Sequence, residues 1–416
     1  MSGLQLLKNT FLLLVFVSVS CGKKLKVGTP NIKTPSTALR VTLEKKDIIV
    51  GANQTTKYFS LLENKRVAVV ANQTSVIFSS DTTWTHLVDS LIAAKVNVKK
   101  VFAPEHGFRG KADAGEHVED GLDKKTGLPL LSLHGKNKKP TQEQLDDLDM
   151  MIFDIQDVGA RFYTYISTLH YVMEACAEKG IPLLILDRPN PNGHYVDGPV
   201  MEEAFKSFLG MHAIPIVHGM TIAEYAQMIN GEQWLQDGLQ SELHIVPVRN
   251  YTHQVAYSLP IKPSPNLPND VAINLYPSIC FFEQTPVSLG RGTDMQFQVL
   301  GTPDYRIEKH AFSFTPRPNE GSRYPKHEGK ECWGEDLRTT EWLSEIRLDW
   351  LIDWYKTNEQ NNKGVPFFQK YFSRLAGTKK LEEQIKAGWT AKQIKESWQP
   401  DLERYKKIRA KYLIYE

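Results

Sequence analysis

Five short apolar runs, separated by stretches of helical period, constrain this chain more than any other feature. They cover residues 67–71, 98–103, 150–153, 183–186 and 243–248. The runs are continuous rather than alternating, so each strand buries both faces. Helices are predicted over 84–94 and over 166–179, the latter closed by Gly180. A third is predicted over 221–230, capped by Thr221 and ended at Gly231. Strands alternating with helices imply a mostly parallel sheet covered on both faces, the α/β class, over residues 47–250. After about Tyr251 the texture changes. Pro263, Pro265 and Pro268 crowd together, strand-like pieces (297–300, 311–314) are irregularly spaced, and helices are predicted over 340–356 and 380–387. Residues 251–416 therefore read as a second, smaller α/β domain.

The N-terminus speaks to compartment. Lys8 precedes Phe11-Leu12-Leu13-Leu14-Val15-Phe16-Val17, then the small residues Ser18-Val19-Ser20, then Cys21. The apolar stretch is too short to span a bilayer and has the pattern of a signal peptide. A cysteine directly after the small residues is the pattern of a bacterial lipoprotein, with Ser18 where Leu is usual. Residues 1–21 are expected to be a lipoprotein signal with lipid on Cys21. Residues 22–46, rich in Lys, Thr and Pro, are expected to be a flexible tether. The protein would then be exported, as a membrane-anchored periplasmic or cell-surface lipoprotein. Of the other cysteines, Cys176, Cys280 and Cys332 are far apart and odd in number, so no disulfide framework is expected. A net charge of +2 over 416 residues leaves no electrostatic footprint for nucleic acid.

Open parallel sheets bind ligands beyond the carboxyl ends of their strands. Polar groups collect there. Asn72-Gln73-Thr74 follows the first run and Pro104-Glu105-His106-Gly107-Phe108-Arg109-Gly110 the second. The third is followed by residues 154–165, which include Asp154, Gln156, Asp157, Arg161, Tyr163 and Tyr165. The fourth is followed by Asp187-Arg188-Pro189-Asn190-Pro191-Asn192-Gly193. Each segment also has a structural reading: a turn at Asn72, an ion pair of Asp187 with Arg188, a core aromatic at Tyr163 or Tyr165. Glu105 resists that reading, because it sits between Pro and Gly in a rigid loop with Glu116 and Glu119 following. Glycosidases need two carboxyl groups, and sugars are held by Asn, Gln, Asp and Arg hydrogen bonds against an aromatic face. Asn72, Gln73, Asp154, Gln156, Asp157, Arg161, Tyr163 and Asp187 supply those types. No GxGxxG, Walker A, HExxH or GxSxG motif is present. His106, His117 and His134 match no metal spacing.

These motifs resemble the NamZ-type exo-β-N-acetylmuramidases, formerly a domain of unknown function and now a glycoside hydrolase family. Further matches are His218-Gly219-Met220-Thr221, Pro263-Ser264-Pro265-Asn266, Tyr276-Pro277, and Ser288 through Gly290-Arg291-Gly292-Thr293. The resemblance runs from about Val50 to the C-terminus. It implies a Rossmann-like catalytic domain, a C-terminal auxiliary domain, a site between them, and no cofactor. It also implies release of N-acetylmuramic acid (MurNAc) from the non-reducing end of peptidoglycan fragments such as MurNAc–GlcNAc. By that resemblance Glu105 is the catalytic acid. Asp154, Asp157, Glu116 and Glu283 compete for the second carboxylate. The substrate-binding set gains His106, Arg109, Arg188, Asn190, His218, Asn266, Glu283 and Arg291. The lactyl carboxylate of MurNAc needs a cation, for which Arg161, Arg188 and Arg291 are candidates. The chain departs from the family at Glu283-Gln284-Thr285, where Glu-Gly-Thr is usual, and at 259–263, where a Trp precedes the Pro-Ser-Pro-Asn. The rival reading is a non-catalytic lipoprotein that captures muropeptides.

Overall fold

The apolar runs become a single sheet because each contributes side chains to both of its faces. In β1 (Arg66–Ala71), Val67, Val69 and Ala71 join one apolar cluster, and Ala68 and Val70 join another. The structure, a computed structural model, describes residues 47–109, 120–304, 311–361 and 364–416. Cys21, the tether, Glu116, His117 and Glu119 lie outside the described residues.

After β1 come β2 (Val76–Ser80), β3 (Thr83–His86), α1 (Leu87–Ala93), β4 (Asn97–Ala103), β5 (Gly121–Leu122), β6 (Pro129–Ser132) and α2 (Gln142–Leu145). Then follow β7 (Met150–Asp154), α3 (Tyr165–Lys179), β8 (Leu183–Leu186), α4 (Ile222–Gly231) and β9 (Leu243–Val246). The seven-stranded sheet has the order β5-β6-β4-β1-β7-β8-β9. Every pairing in it is parallel except β5 with β6 at the edge. Counted along the chain, its parallel strands lie in the order 3-2-1-4-5-6, the Rossmann-like doubly wound arrangement. The strand order reverses between β1 and β7, which pair from Val67↔Met150 to Ala71↔Asp154.

The C-terminal part adds α5 (Asp270–Ile279), β10 (Val299–Thr302), β11 (Phe312–Phe314), β12 (Cys332–Asp336), α6 (Asp349–Asn361), α7 (Phe372–Ala376), α8 (Lys380–Lys386) and α9 (Ala391–Arg409). There β10, β12 and β11 form a separate antiparallel sheet. Asp47–Glu416 holds together as one compact unit. Cys176, Cys280 and Cys332 are buried free thiols.

Two helices differ from the expectation. The one predicted over 84–94 starts only at Leu87, because Thr83–His86 pairs with Val76–Ser80 as a hairpin. The β-branched Thr83 and Thr85 favour that pairing. His86 ends it and caps the helix, its Nδ1 accepting from Val88 N at 3.3 Å. The helix predicted over 340–356 starts only at Asp349. Leu343, Ile346 and Arg347 donate their N–H groups to Asn274 Oδ1, Asp197 Oδ2 and Ser278 Oγ. Side chains remote in sequence thus take the bonds a helix would need.

Candidate active site

At the reversal between β1 and β7, the loops leaving the two strands run to opposite faces and open a crevice at their carboxyl ends. The loop after β4 supplies its most constrained element. Gly107 N donates to Pro104 O at 3.0 Å, closing a turn with His106 and Gly107 both left-handed, at φ 72° and 74°. Glycine adopts that region freely, whereas histidine is strained there, and such strain concentrates at functional sites. Glu105 is carried by this turn. Its Oε2 accepts from Thr164 Oγ1 at 3.1 Å, and its backbone oxygen accepts from Tyr165 OH at 3.4 Å. Thr164 is the N-cap residue of α3, so the helix entry fixes the carboxyl group.

Glu105 borders a cavity of about 230 Å3. That is the space of roughly eight waters, at ~30 Å3 each, or of one sugar unit. Six aromatic rings line it: Phe162, Tyr163, Tyr165, Tyr276, Phe297 and Tyr371. Edge-to-face contacts link Tyr163 to Tyr165 (4.8 Å between centroids), Tyr163 to Tyr276 (5.9 Å) and Tyr276 to Phe297 (5.0 Å). Burial raises the phenols of Tyr163, Tyr165 and Tyr276 well above their ordinary range, so they stay protonated.

The C-terminal part closes the opposite side. A 3₁₀ turn, Cys280–Gln284, brings Glu283 and Gln284 to the cavity. Arg291 Nε donates to Glu283 Oε1 at 2.6 Å, and its guanidinium lies 5.0 Å from the centroid of Phe297. Behind this turn the Lys326 ammonium donates to the carbonyls of Phe282 (3.0 Å), Thr285 (2.5 Å) and Val287 (3.1 Å). Burial lowers Lys326 to about 8. Asn266 also lines the cavity. Its Nδ2 donates to Gly321 O at 2.5 Å, and its buried Oδ1 has no partner among the described residues.

Of the residues singled out from sequence, the cavity gathers Glu105, His106, Tyr163, Tyr165, Asn266, Glu283 and Arg291. The other described candidates do not line it. Asp154 is 0% exposed, and both its oxygens accept from Arg188, at 2.6 and 2.9 Å. Burial pushes the Asp154 carboxyl up, and the guanidinium works against that. Asp157 accepts from Gly159 N at 2.7 Å, its Oδ2 lies 3.6 Å from His218 Nε2, and its Oδ1 is buried without a partner among the described residues. Asn72 bonds Tyr165 OH and Thr74, and Gln156 bonds the carbonyls of Asp157 and Pro189. Asn190 donates to Met220 O and packs against Gly159, where a Cβ would lie 2.3 Å from Asn190 Oδ1. Asp187 accepts from Tyr415 OH at 2.6 Å. Arg161 donates to four backbone carbonyls. Gln73 and Arg109 line a neighbouring hollow.

Thr164, Tyr276, Gln284 and Ser264 reach the cavity without having been proposed for it; Thr164, Tyr276 and Ser264 lie within segments that carried the resemblance, and Gln284 lies where the chain departs from it. Phe297 and Tyr371 had no sequence signal, since isolated aromatics in irregular segments read as core.

Two family models match the chain: "Exo-beta-N-acetylmuramidase NamZ, N-terminal" over residues 67–271 and "Exo-beta-N-acetylmuramidase NamZ, C-terminal" over residues 274–415. The peptidoglycan beta-N-acetylmuramidase NamZ of Bacillus subtilis is 36% identical over 342 residues, which cover 77% of this chain and 80% of that protein. A crystal structure of a DUF1343 family protein from Bacteroides fragilis aligns with TM-score 0.81 and 46% identity, covering 89% of this chain and 99% of that one. A second DUF1343 protein of the same organism aligns with TM-score 0.77 at 28% identity, with the same coverage. The chain therefore belongs to the NamZ family of exo-β-N-acetylmuramidases.

Proposed function

We propose that this chain is an exo-acting glycosidase that releases terminal, non-reducing MurNAc from peptidoglycan fragments during cell-wall turnover and recycling. The observation that carries the reading is one cavity lined by two carboxyl groups, Glu105 from the sheet side and Glu283 from the C-terminal side. Glu105 serves as the general acid that protonates the leaving glycosidic oxygen. Glu283 is the second carboxyl group lining the cavity among the described residues, and glycoside hydrolysis requires two. The cavity has room for about one sugar, which suits removal of a terminal unit. Arg291 lines it, whereas Arg161 and Arg188 bind backbone and Asp154 elsewhere. Arg291 is thus the cation for the lactyl carboxylate of MurNAc. The NamZ relative from Bacillus subtilis, named a peptidoglycan beta-N-acetylmuramidase, supports the same substrate.

Incubation with MurNAc–GlcNAc disaccharide and with a chromogenic MurNAc glycoside tests the reading. Free MurNAc is expected from both. Tight binding with no release would mean a muropeptide-capturing protein instead.

We further propose that the chain is exported and anchored through lipid on Cys21. The apolar run and the small residues before that cysteine support this. Cys21→Ala is expected to move the protein from the membrane pellet to the soluble fraction. Retention in the pellet would overturn the anchor.

A further inference from the structure

Beside the cavity lies a second hollow, of about 380 Å3, bordered by Gln73, Trp84, His86, Asp89, Arg109 and Lys125. Pro263 links residues of the two. The carbonyl of Pro263 accepts from Tyr163 OH at 2.9 Å and from Gln73 Nε2 at 2.8 Å, and these donors belong to the cavity and the hollow respectively. The turn that carries Glu105 runs on to Phe108 and Arg109. The Phe108 ring meets His86 edge to face at 4.7 Å.

We infer that this hollow is an accessory glycan subsite, which holds sugar rings of the chain remaining after the terminal MurNAc has entered the cavity. The inference rests on the proposed function, and three observations carry it. An enzyme that removes a terminal sugar must leave the rest of the chain outside a cavity sized for one ring. The hollow is the adjoining recess at the same carboxyl edge of the sheet.

Its floor offers a platform. Trp84 is 47% exposed, held edge-on by Phe78 at 6.4 Å on the β2–β3 hairpin. A half-exposed indole braced by a second ring is suited to stack on a sugar face.

Its charged side chains are paired among the described residues. Arg109 pairs with Asp123 at 2.7 Å and with Asp89 at 3.3 Å, and Lys125 pairs with Asp89 at 2.6 Å. Burial lowers His86 to about 4, so it stays neutral at neutral pH. Paired hydrogen-bonding groups suit the hydroxyl and acetamido groups of a glycan.

The test compares wild type, Trp84→Ala and Trp84→Phe on three substrates: the chromogenic MurNAc glycoside, the MurNAc–GlcNAc disaccharide and a peptide-free alternating tetrasaccharide. Wild type is expected to gain in kcat/KM with chain length. Trp84→Ala should abolish that gain, roughly a 2- to 10-fold effect for one stacking contact. It should leave the chromogenic glycoside within about 2-fold, and Trp84→Phe should restore most of the gain. Calorimetric titration with the product trisaccharide reads the hollow without turnover, and Trp84→Ala should weaken that binding by a similar factor. Equal losses on all three substrates, or unchanged trisaccharide binding, would overturn the subsite. A Trp84 effect confined to fragments bearing stem peptides would overturn the glycan as occupant. Failure of the proposed function would show differently: wild type would release no MurNAc from the disaccharide, while the titration still reported on Trp84.

Discussion

Glu105 occupies a position the chain maintains at a cost, since His106 beside it is left-handed at φ 72° and both residues line the cavity. Non-glycine residues held there cost on the order of 1 kcal/mol or more and persist where their surroundings enforce them. Here Thr164 and Tyr165, at the start of α3, do the enforcing. If Glu105 is the general acid, Glu105→Gln preserves shape and removes the proton donor. Turnover of the natural disaccharide is expected to fall roughly a hundred- to ten-thousand-fold. The loss should shrink with a 4-nitrophenyl leaving group, whose oxygen needs little protonation, and the basic limb of its pH–rate profile should vanish. An equal loss on good and poor leaving groups would make Glu105 a nucleophile or base, and the acid would then be sought at Glu283. Glu105 was legible in the sequence because Pro and Gly bracket an acid directly after an apolar strand. Glu283 was legible only through the resemblance. Its partner Arg291 is eight residues away, and the Lys326 that fastens its turn is 43 away, too remote for any local pattern.

At the scale of elements, the strands were readable and their neighbours less so. A continuous apolar run buried on both faces announces itself. A helix start depends on which groups claim its first N–H donors. Thr221 forms a local capping box with Glu224, and α4 begins where the sequence places it. At 343–347 the claimants are Asn274, Asp197 and Ser278, which no sequence window contains. The end of β8 mixes both cases. Asp187 was read as a substrate ligand or as the partner of Arg188. Instead it is buried under the C-terminal strap, accepting from Tyr415 OH and Ala223 N, while Arg188 turns to Asp154. Burial pushes the Asp187 carboxyl up to about 7, because the hydroxyl and amide supply no full countercharge. Between its unfolded value near 3.8 and about 7, the folded chain holds a proton that the unfolded chain has released. Stability from this group is therefore complete below the unfolded value, falls as pH rises by up to about 1.4 kcal/mol per unit, and levels off above about 7. Asp187→Asn is always neutral and escapes this decline. Thermal melts at pH 5 and pH 8 should show the variant gaining on wild type as pH rises. A stability difference constant across that range would mean that Asp187 does not take up a proton on folding.

The whole molecule is tied together by a residue that sequence alone made a ligand candidate. Arg161 is 1% exposed, and its guanidinium donates to Pro199 O, Ile214 O, Leu375 O and Ala376 O at 2.6 to 3.3 Å. Two of these acceptors belong to the sheet side. The other two belong to α7, in the part that carries Glu283 and Tyr371 to the cavity. A Cβ at Gly377 would lie 2.5 Å from Arg161 Nη2, so the close approach requires that glycine. Arginine suits the position because its planar fork reaches acceptors on both sides at once, which a lysine ammonium could not do. With no carboxylate in this set of partners, burial lowers the guanidinium to about 9. The charge is held by carbonyl dipoles, and removing it takes the side-chain donor from Pro199 O, Leu375 O and Ala376 O, while Ile214 O keeps the Met201 N–H. Arg161→Met fills much of the volume and makes none of the bonds. At about 1–3 kcal/mol for each buried group left unsatisfied, partly relieved by relaxation, the expected destabilisation is roughly 3 kcal/mol or more. Urea unfolding followed by two probes, tryptophan fluorescence and far-ultraviolet circular dichroism, checks this. The midpoint should drop. If the cross-link couples the two parts, the probes should also separate, with the C-terminal part unfolding first. In the folded variant, KM for the disaccharide should rise more than kcat falls, since Glu283 and Arg291 would be held less firmly against Glu105. An unchanged midpoint, or a loss confined to kcat with normal stability, would show that Arg161 does not act as this clasp.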